Sequence, residues 1–366
     1  MTDVRRDGPD SLPAVSLADR LAARTLELVD RPSESRDEGA LAAHVLDLLR
    51  AGGVDARDAG DTCVLAGVTA RGERPLVLLA GHLDTVPAQG NRPGRRDGDA
   101  VHGLGAADMK GAVAVMVELA LARPRTSLDV GYVFFGREEL PVTESALAPL
   151  LDREPGLRAA DLVVVMEPTA NAVHLGCLGN VNATWTFHGT SGHSARPWLA
   201  DNAIHRAAEG IHALARVAPV EHDFDGLRFT EVVSVTRIAG GIAGNVIPDE
   251  AVAHVNYRYA PGRTPADAEA WLRALCEPYG ELTIDGNAPS APVATANPLA
   301  QRLIAAGNLE VAAKQAWTPV AEFAAAGVDA VNFGPGDPAQ AHARSEHVRV
   351  DALVRCYETI EAFACA

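Results

Sequence analysis

The chain has 366 residues, of which 48% are hydrophobic and 22% are charged, and its formal net charge is −16. This is the composition of a globular protein long enough for two domains, and it excludes wholesale disorder. Because no basic patch offsets the negative charge along the chain, we expect no nucleic-acid partner. No apolar run reaches the length of a membrane span, so we expect no membrane partner either.

The five cysteines are scattered along the chain, and no two have CxxC spacing. We therefore expect neither a disulfide framework nor a thiolate zinc site. The cysteines instead indicate a protein of a reducing compartment. The first thirteen residues, MTDVRRDGPDSLP, contain no apolar stretch of the kind found in secretory signals. We therefore predict a cytoplasmic protein.

The first half of the chain alternates short apolar runs with helical patterns. Buried strands are predicted in PLVLLAG, VGYVFFG and DLVVVME, and a helix opened by Asp108 is predicted in DMKGAVAVMVELALAR. Continuous apolar strands separated by helices indicate an α/β fold with a mainly parallel sheet covered on both faces. In such sheets, ligands bind beyond the carboxyl ends of the strands.

The middle of the chain has the order strand, helix, strand, strand, helix, strand. Its strands are predicted in VNATWTFHG, EVVSVTRIAGG, AVAHVNYRYAPG and ELTIDG, and its second helix in TPADAEAWLRALCEPYG. In the first helix, DNAIHRAAEGIHALARV, the face expected to be buried consists of Ile204, Ala207, Ala208, Ile211, Leu214 and Ala215. This order is that of a ferredoxin-like βαββαβ domain. We predict that it occupies residues 179–292, inserted into a catalytic domain formed by residues 1–178 and 293–366.

Five residues of metal-binding type stand at or near the ends of apolar runs: His82, Asp108, Glu139, Glu167 and His342. Two imidazoles and three carboxylates, one of them bridging, suit two adjacent zinc-type ions and leave a place for water. Each residue taken alone also has an ordinary alternative. The histidines could be surface residues, Asp108 a helix cap, and the glutamates solvated loop charges. As an ordered set they predict a hydrolase.

Glu138 and Glu139 directly follow a predicted strand. Successive residues that leave a strand point in different directions, so one side chain can bind metal while its neighbour faces the water. The pair therefore offers Glu139 as a ligand and Glu138 as a general base. His82 and Asp84 form an H-x-D pair, in which Asp84 is expected to hold and polarise the metal-binding imidazole.

The motifs that contain these residues resemble those of the M20 family of metallopeptidases and deacylases. GHLDTVP, GLGAADMKG, REE, MEPT, GTSGHSARP and GPGDPAQAH occur in the family order over most of the chain. The segments NAIH, GGIAGNVIPD and VNYRYAP make the sequence most similar to the succinyl-diaminopimelate desuccinylases of actinobacterial type within that family.

The resemblance implies a cofactor of two zinc ions, for which cobalt or manganese can substitute. Asp108 would bridge the two ions. His82 and Glu167 would complete one site, and Glu139 and His342 the other.

The resemblance also implies roles for residues that do not bind metal. Glu138 would be the general acid and base, and Asp84 would support the first imidazole. His193, in the inserted domain, would reach the active site of the partner in a homodimer and stabilise the oxyanion. Asn245 and Arg258 match positions that hold substrate carboxylates.

The sequence departs from the family pattern at three places. Relatives often carry T-D-V before an R-F pair, whereas this chain has Thr318-Pro319-Val320 before Glu322-Phe323. Arg137 precedes the two glutamates, and Met166 replaces the small residue usually found before the EPT glutamate. None of these changes removes a ligand, but all could alter the substrate pocket.

Three functions follow from these observations. The leading hypothesis is a di-zinc amidohydrolase that removes succinate from N-succinyl-LL-2,6-diaminopimelate in lysine and cell-wall biosynthesis. The second is a paralogous deacylase or dipeptidase that acts on another small N-acyl amino acid. The third is an inactive relative that serves as a ligand-binding dimer. Retention of all five ligands and of Glu138 disfavours the third.

Overall fold

The structure is a computed structural model that describes residues 15–366. The predicted absence of an apolar signal segment falls on the N-terminal residues, which lie outside this range. Among the described residues, no helix combines the length and apolar character that crossing a bilayer requires.

The helices, in chain order, are α1 Leu17–Val29, α2 Gly39–Ala51, α3 Gly111–Ala122, α4 Leu147–Arg153, α5 Ala203–Leu214, α6 Pro265–Cys276, α7 Pro298–Gly307, α8 Val320–Ala325 and α9 Val350–Cys365. The strands are β1 Ala56–Gly60, β2 Cys63–Gly67, β3 Leu76–His82, β4 Arg95–Asp97, β5 Ala100–His102, β6 Asp129–Phe135, β7 Leu162–Val165, β8 Val173–Leu175, β9 Gly179–His188, β10 Gly192–His193, β11 Val220–Phe224, β12 Leu227–Gly240, β13 Val246–Ile247, β14 Glu250–Tyr259, β15 Glu281–Ala288, β16 Val311–Ala313, β17 Ala330–Asn332 and β18 His347–Arg349.

Eight strands form the main sheet in the order β1-β2-β6-β3-β7-β17-β8-β16. The central strands β6, β3, β7 and β17 are parallel, as the apolar runs predicted. Antiparallel pairing occurs on both sides of this centre, between β1 and β2, β2 and β6, and β17 and β8. The sheet is therefore mixed but parallel where the predicted ligands lie.

Helices cover both faces of the main sheet, because its central strands are apolar on both sides. In β3, Val77 and Leu79 pack into a core shared with α1, α2, α3, α7 and α9. Leu76, Leu78 and Ala80 pack on the opposite face with α4 and α8. Burial on both faces fixes the direction of β3, and its C-terminal residue His82 is held at the edge of the sheet with no exposed surface.

The helix predicted to open at Asp108 begins three residues later, at Gly111. Asp108 has φ −125° and ψ 92°, an extended conformation within an irregular turn over Ala106–Lys110. The predicted start of the helix was therefore three residues too early. The N-terminus of α3 receives no side-chain cap hydrogen bond, so the alternative role of Asp108 as a helix cap does not apply.

Five antiparallel strands form the second sheet in the order β11-β12-β14-β9-β15. Helices α5 and α6 pack on one face, where β9 buries Val181, Ala183, Trp185 and Phe187. Apart from the added edge strand β11, this is the sheet order of the predicted βαββαβ unit. The limits of the inserted domain at 179–292 stay a prediction, with β9 beginning at Gly179 and β15 ending at Ala288.

The buried face of α5 differs from the prediction. The helix buries Ala203, Ala207, Gly210 and Leu214, while Ile204 is 39% exposed. Ala208 and Ala215, also predicted to be buried, are exposed. A Cβ atom at position 210 would lie 2.8 Å from Cη2 of Trp185, so the helix approaches the sheet through its small residues. The wide Trp185 ring, not the largest aliphatic side chains of the helix, sets the rotation of α5.

Candidate active site

The predicted ligands converge at the carboxyl ends of the central parallel strands. His82 ends β3, Glu138 and Glu139 follow β6 by three and four residues, and Glu167 follows β7 by two. The irregular turn before α3 brings Asp108 to the same place, and the loop after β17 brings His342.

His82 makes the first group of contacts in this cluster. Its Nε2 atom lies 3.1 Å from Oδ1 of Asp108 and 3.8 Å from Oε1 of Glu167. Its Nδ1 atom lies 3.0 Å from the main-chain oxygen of Asp84, which fixes the orientation of the ring. Nε2 is therefore the imidazole nitrogen directed at the two carboxylates.

His342 makes the second group of contacts. Its Nε2 atom lies 2.9 Å from Oε1 of Glu139 and 3.8 Å from Oδ2 of Asp108. The two oxygens of Asp108 therefore face two different imidazoles. One carboxylate with a histidine on each side has the form expected of a ligand that bridges two cations.

The chemistry of this donor set fits metal ions. Ligand atoms of His82, Asp108 and Glu139 lie within 4.8 Å of one another, and so do those of His82, Glu138 and Glu167. Oε1 of Glu167 is buried and accepts no hydrogen bond within residues 15–366. A buried carboxylate oxygen without a donor is costly, and a cation would remove that cost. His342 stands outside both groups and reaches the cluster through Glu139 and Asp108.

The electrostatics of the cluster also favour a cation. Burial, and then the charge of Glu167, raise the pKa of Glu138 well above its usual value. Burial, and then the charge of Asp108, raise the pKa of Glu167 to about 7. The four carboxylates here repel one another, so added positive charge would stabilise their ionised forms.

Asp84 holds the Glu138–Glu139 pair more directly than it holds His82. Its Oδ1 and Oδ2 accept the backbone N–H groups of Glu138 and Glu139, at 3.0 and 3.1 Å. The hydroxyl of Ser35 donates to Oδ2 at 2.8 Å, while Nδ1 of His82 lies 3.5 Å from Oδ1. The H-x-D spacing indicated a support for the imidazole, but the carboxylate mainly positions the loop that carries the predicted base.

A residue that the sequence did not indicate, Glu346, holds the turn that contains Asp108. Its Oε1 accepts the backbone N–H groups of Ala107 and Asp108, at 2.9 and 3.0 Å. Its Oε2 accepts that of Gly105 at 2.9 Å. Nothing in the local pattern SEHVRV distinguishes this glutamate from a solvated charge, because its partners lie about 240 residues earlier.

A cavity of about 370 Å³ opens beside the carboxylate cluster. Two cations also line it, Arg258 from β14 and Lys314 from the segment after β16. Lys314 is buried, and its Nζ donates to the main-chain oxygen of Pro168 at 3.3 Å. Its charge acts on Asp108 and Glu167, so the cavity combines the carboxylate cluster with groups able to bind an anion. Lys314 was not among the predicted site residues, although the chain contains only one other lysine, Lys110.

Two predicted residues do not line this cavity. His193 ends β10 and Asn245 directly precedes β13, and these two strands pair in a small sheet of their own. Both residues are exposed, and Ser194 donates its N–H to the main-chain oxygen of Asn245 at 3.0 Å. Within one protomer they are therefore not brought to the carboxylate cluster. Their predicted roles depend on a second copy of the chain.

The departures from the family pattern mostly point away from the cavity. Arg137 makes an ion pair with Asp61 at 2.6 Å and does not face the carboxylates. Met166 is fully buried in the main core. Pro319 caps the start of α8, and Glu322 is buried against α4, where it accepts the N–H of Ala148 at 3.2 Å. Of the affected stretch, Thr318 alone lines the cavity.

The family model for peptidase family M20/M25/M40 matches residues 78–366. The chain therefore belongs to this family of hydrolases.

Three relatives illustrate the range of names attached to similar chains. A Mycobacterium tuberculosis protein assigned as succinyl-diaminopimelate desuccinylase DapE is 39% identical, over 93% of this chain and 96% of its own. The succinyl-diaminopimelate desuccinylase of Corynebacterium glutamicum is 35% identical, over 93% and 95%. The N-acetyl-L-citrulline deacetylase of Xanthomonas campestris is 33% identical, over 78% and 80%.

Solved structures show the same fold. The M20 family metallo-carboxypeptidase Sso-CP2 of Sulfolobus solfataricus superposes with a TM-score of 0.79 at 16% identity, over 94% of this chain and 98% of its own. The Bacillus subtilis YXEP protein, described as a dinuclear metal-binding peptidase of the M20 family, superposes with a TM-score of 0.67 at 18% identity, over 95% and 97%. At these identities the likeness concerns the fold alone.

Proposed function

We propose that the protein is a di-zinc amidohydrolase that removes the acyl group from a small N-acyl amino acid. The observation that carries this proposal is the position of Asp108, whose two oxygens face His82 and His342 on opposite sides. Asp108 would bridge two ions, with Glu167 and Glu139 as the remaining carboxylate ligands. The bound ions would lower the pKa of a water molecule and polarise the acyl carbonyl.

Glu138 is the proposed general base and acid. Its carboxylate lies beside the ligand cluster, and burial, with the charge of Glu167, raises its pKa well above the usual value, which favours accepting a proton. It would take a proton from the attacking water and deliver it to the departing amine. The carboxylate of Asp84 accepts the backbone N–H groups of Glu138 and Glu139. It would thereby fix the positions of the base and of the neighbouring ligand.

The proposed substrate is N-succinyl-LL-2,6-diaminopimelate. Two features support it: the desuccinylase relatives that cover over nine-tenths of the chain, and the two cations of the cavity. This substrate carries carboxylates on both sides of the scissile amide. Arg258 and Lys314 line the same cavity as the proposed metal ligands, where their positive charge would bind carboxylates.

The second candidate is a deacylase for another N-acyl amino acid. Its support is that the stretch which departs from the family pattern begins at Thr318, in the lining of the cavity. The deacetylase relative from Xanthomonas shows that similar chains carry other substrate names. One fold can retain its metal site while the pocket changes.

The test is a comparison of turnover on one protein sample with measured metal content. N-succinyl-LL-2,6-diaminopimelate should be hydrolysed with a higher kcat/KM than N-acetyl-L-citrulline, N-acetyl-L-ornithine or simple dipeptides. A preference for one of the acetylated compounds would replace the first candidate by the second. Tight binding of these compounds without turnover of any of them would identify an inactive binding protein.

We also propose that the protein works as a homodimer through its second sheet. The support is that His193 and Asn245, both in substrate-binding motifs of the resemblance, do not line the cavity of their own protomer. Exposed apolar side chains occur in the same region, among them Ile238, Ile242 and Trp198. A second copy would cover them and supply His193 to stabilise the oxyanion.

A further inference from the structure

A second cavity, of about 490 Å³, is separate in its lining from the carboxylate cavity. Its walls are the loop before β4, the end of β5 and the segment 344–347 that leads into β18. The strands β4, β5 and β18 form a small antiparallel sheet of their own, which holds these walls together. Of its side chains, only Glu346 contributes to the proposed active site, through the turn of Asp108.

Five basic side chains line this cavity: Arg92, Arg95, His102, Arg344 and His347. Such a concentration is unexpected in a chain of formal charge −16. The rings of His102 and His347 stack with their centroids 5.0 Å apart.

In the part of the chain that the structure describes, few of these basic groups pair with a carboxylate. Within residues 15–366, Arg95 and Arg344 make no ion pair, and Arg92 has a single one, with Glu34 at 3.5 Å. The one carboxylate of the lining is Glu346, whose two oxygens already accept three backbone N–H groups. The cavity therefore carries net positive charge.

We propose that this cavity binds a phosphate group, either as inorganic phosphate or as part of a phosphomonoester. A tetrahedral dianion offers several acceptor oxygens, and guanidinium groups bind such oxygens with charge-assisted hydrogen bonds. The ligand joins the loop that contains Arg92 and Arg95 to the segment that contains Arg344. That segment begins two residues after His342 and includes Glu346, which holds the turn of Asp108. A phosphate bound in the cavity would therefore fix this turn in place.

The test is calorimetric titration of the protein with inorganic phosphate, after removal of metal by dialysis against a chelator so that metal phosphates do not form. Saturable binding of one phosphate per chain is expected. The double variant Arg95→Gln/Arg344→Gln should bind at least roughly tenfold more weakly, because two charge-assisted contacts are lost. The matched control Arg216→Gln/Arg355→Gln removes the same charge from two exposed arginines outside the cavity, and its affinity should equal that of the wild type.

Three results would overturn the proposal: absence of saturable binding, equal weakening in both double variants, or tighter binding of succinate than of phosphate at this site. Titration with glycerol 3-phosphate distinguishes a phosphomonoester ligand from inorganic phosphate. Tighter binding of glycerol 3-phosphate than of inorganic phosphate indicates a phosphomonoester, and weaker or equal binding indicates inorganic phosphate. The measurement needs neither turnover nor metal, so it stays informative if the proposed amidohydrolase activity is absent.

Discussion

The carboxylate of Asp84 lies 3.0 Å from the backbone nitrogen of Glu138 and accepts its hydrogen bond. The same carboxylate accepts the N–H of Glu139 and the hydroxyl of Ser35, and it is fully buried. Burial opposes its charge, but the hydrogen bond and charge of His82, followed by the hydrogen bonds from Ser35 and the backbone of Glu138, lower the pKa of Asp84. This residue therefore connects the strand that ends in His82 with the loop that carries the proposed base.

Asp84→Asn should impair both catalysis and metal binding. The amide keeps the shape of the side chain, but its NH₂ group cannot accept one of the two backbone N–H groups. We expect metal affinity and kcat each to fall about 10–100-fold, as for other supports of metal ligands. Titration with cobalt and steady-state kinetics would measure this. Ser35→Ala removes one donor and should have a smaller effect; an equal loss in both variants would contradict the role assigned to the backbone contacts.

Glu138→Gln should abolish turnover without loss of metal. A glutamine cannot accept the proton of the attacking water, and we expect kcat to fall about 10²–10⁴-fold. Elemental analysis should find the same metal content in the variant and the wild type. Glu209→Gln, an exposed glutamate on α5, is the control for the change in charge. Full activity of Glu138→Gln would exclude it as the base.

Lys314→Met should separate substrate binding from metal binding. The variant loses a buried cation that attracts the substrate carboxylate and also lowers the pKa values of Asp108 and Glu167. We expect kcat/KM to fall roughly 10–100-fold and metal to bind more tightly. For a substrate whose carboxylate is replaced by a carboxamide, the variant and the wild type should behave alike. A loss of the same size for both substrates would indicate a structural role.

Glu322 should make stability depend on pH. Burial raises its pKa from 4.5 to about 7, against hydrogen bonds from Ser145 and from the N–H of Ala148. The folded protein holds this proton more tightly than the unfolded chain, so the contribution to stability is complete below pH 4.5 and is lost as pH rises to about 7. Glu322→Gln should be more stable than the wild type at pH 8 by about 2–3 kcal/mol, and the gain should vanish near pH 4.5. Urea unfolding at pH 4.5 and at pH 8 measures the free energy of unfolding of both proteins, and Glu310→Gln, at an exposed position, is the control. A gain in stability that does not change with pH would contradict the raised pKa of Glu322.

Mixing two inactive variants tests the homodimer. His193→Ala and Glu138→Gln should each lose turnover and keep their metal. After exchange of subunits, half of the dimers would be mixed, and one of their two sites would combine an intact Glu138 with an intact His193. About a quarter of wild-type activity should therefore return. If His193 acts within its own chain, mixing restores nothing.

The sequence predicted those parts of the molecule whose cause is local. Apolar runs identified the parallel strands, and the residues that end them, such as His82 and Glu167, lie in the cluster because parallel strands share one carboxyl edge. The position of Asp108 was predicted from its motif, but its extended backbone was not, because the hydrogen bonds that impose it come from Glu346. The position of Lys314 in the cavity and the exposure of Ile204 were not predicted for the same reason. The environment of each residue is set by segments far away in the chain.

The contacts of Glu346 with Asp108 span 238 residues of the chain. During synthesis the turn that presents Asp108 therefore leaves the ribosome long before the glutamate that accepts its backbone N–H groups. We expect the proposed ligand set to be assembled only after the segment from His342 to Glu346 has been made, so ions would be captured late in folding.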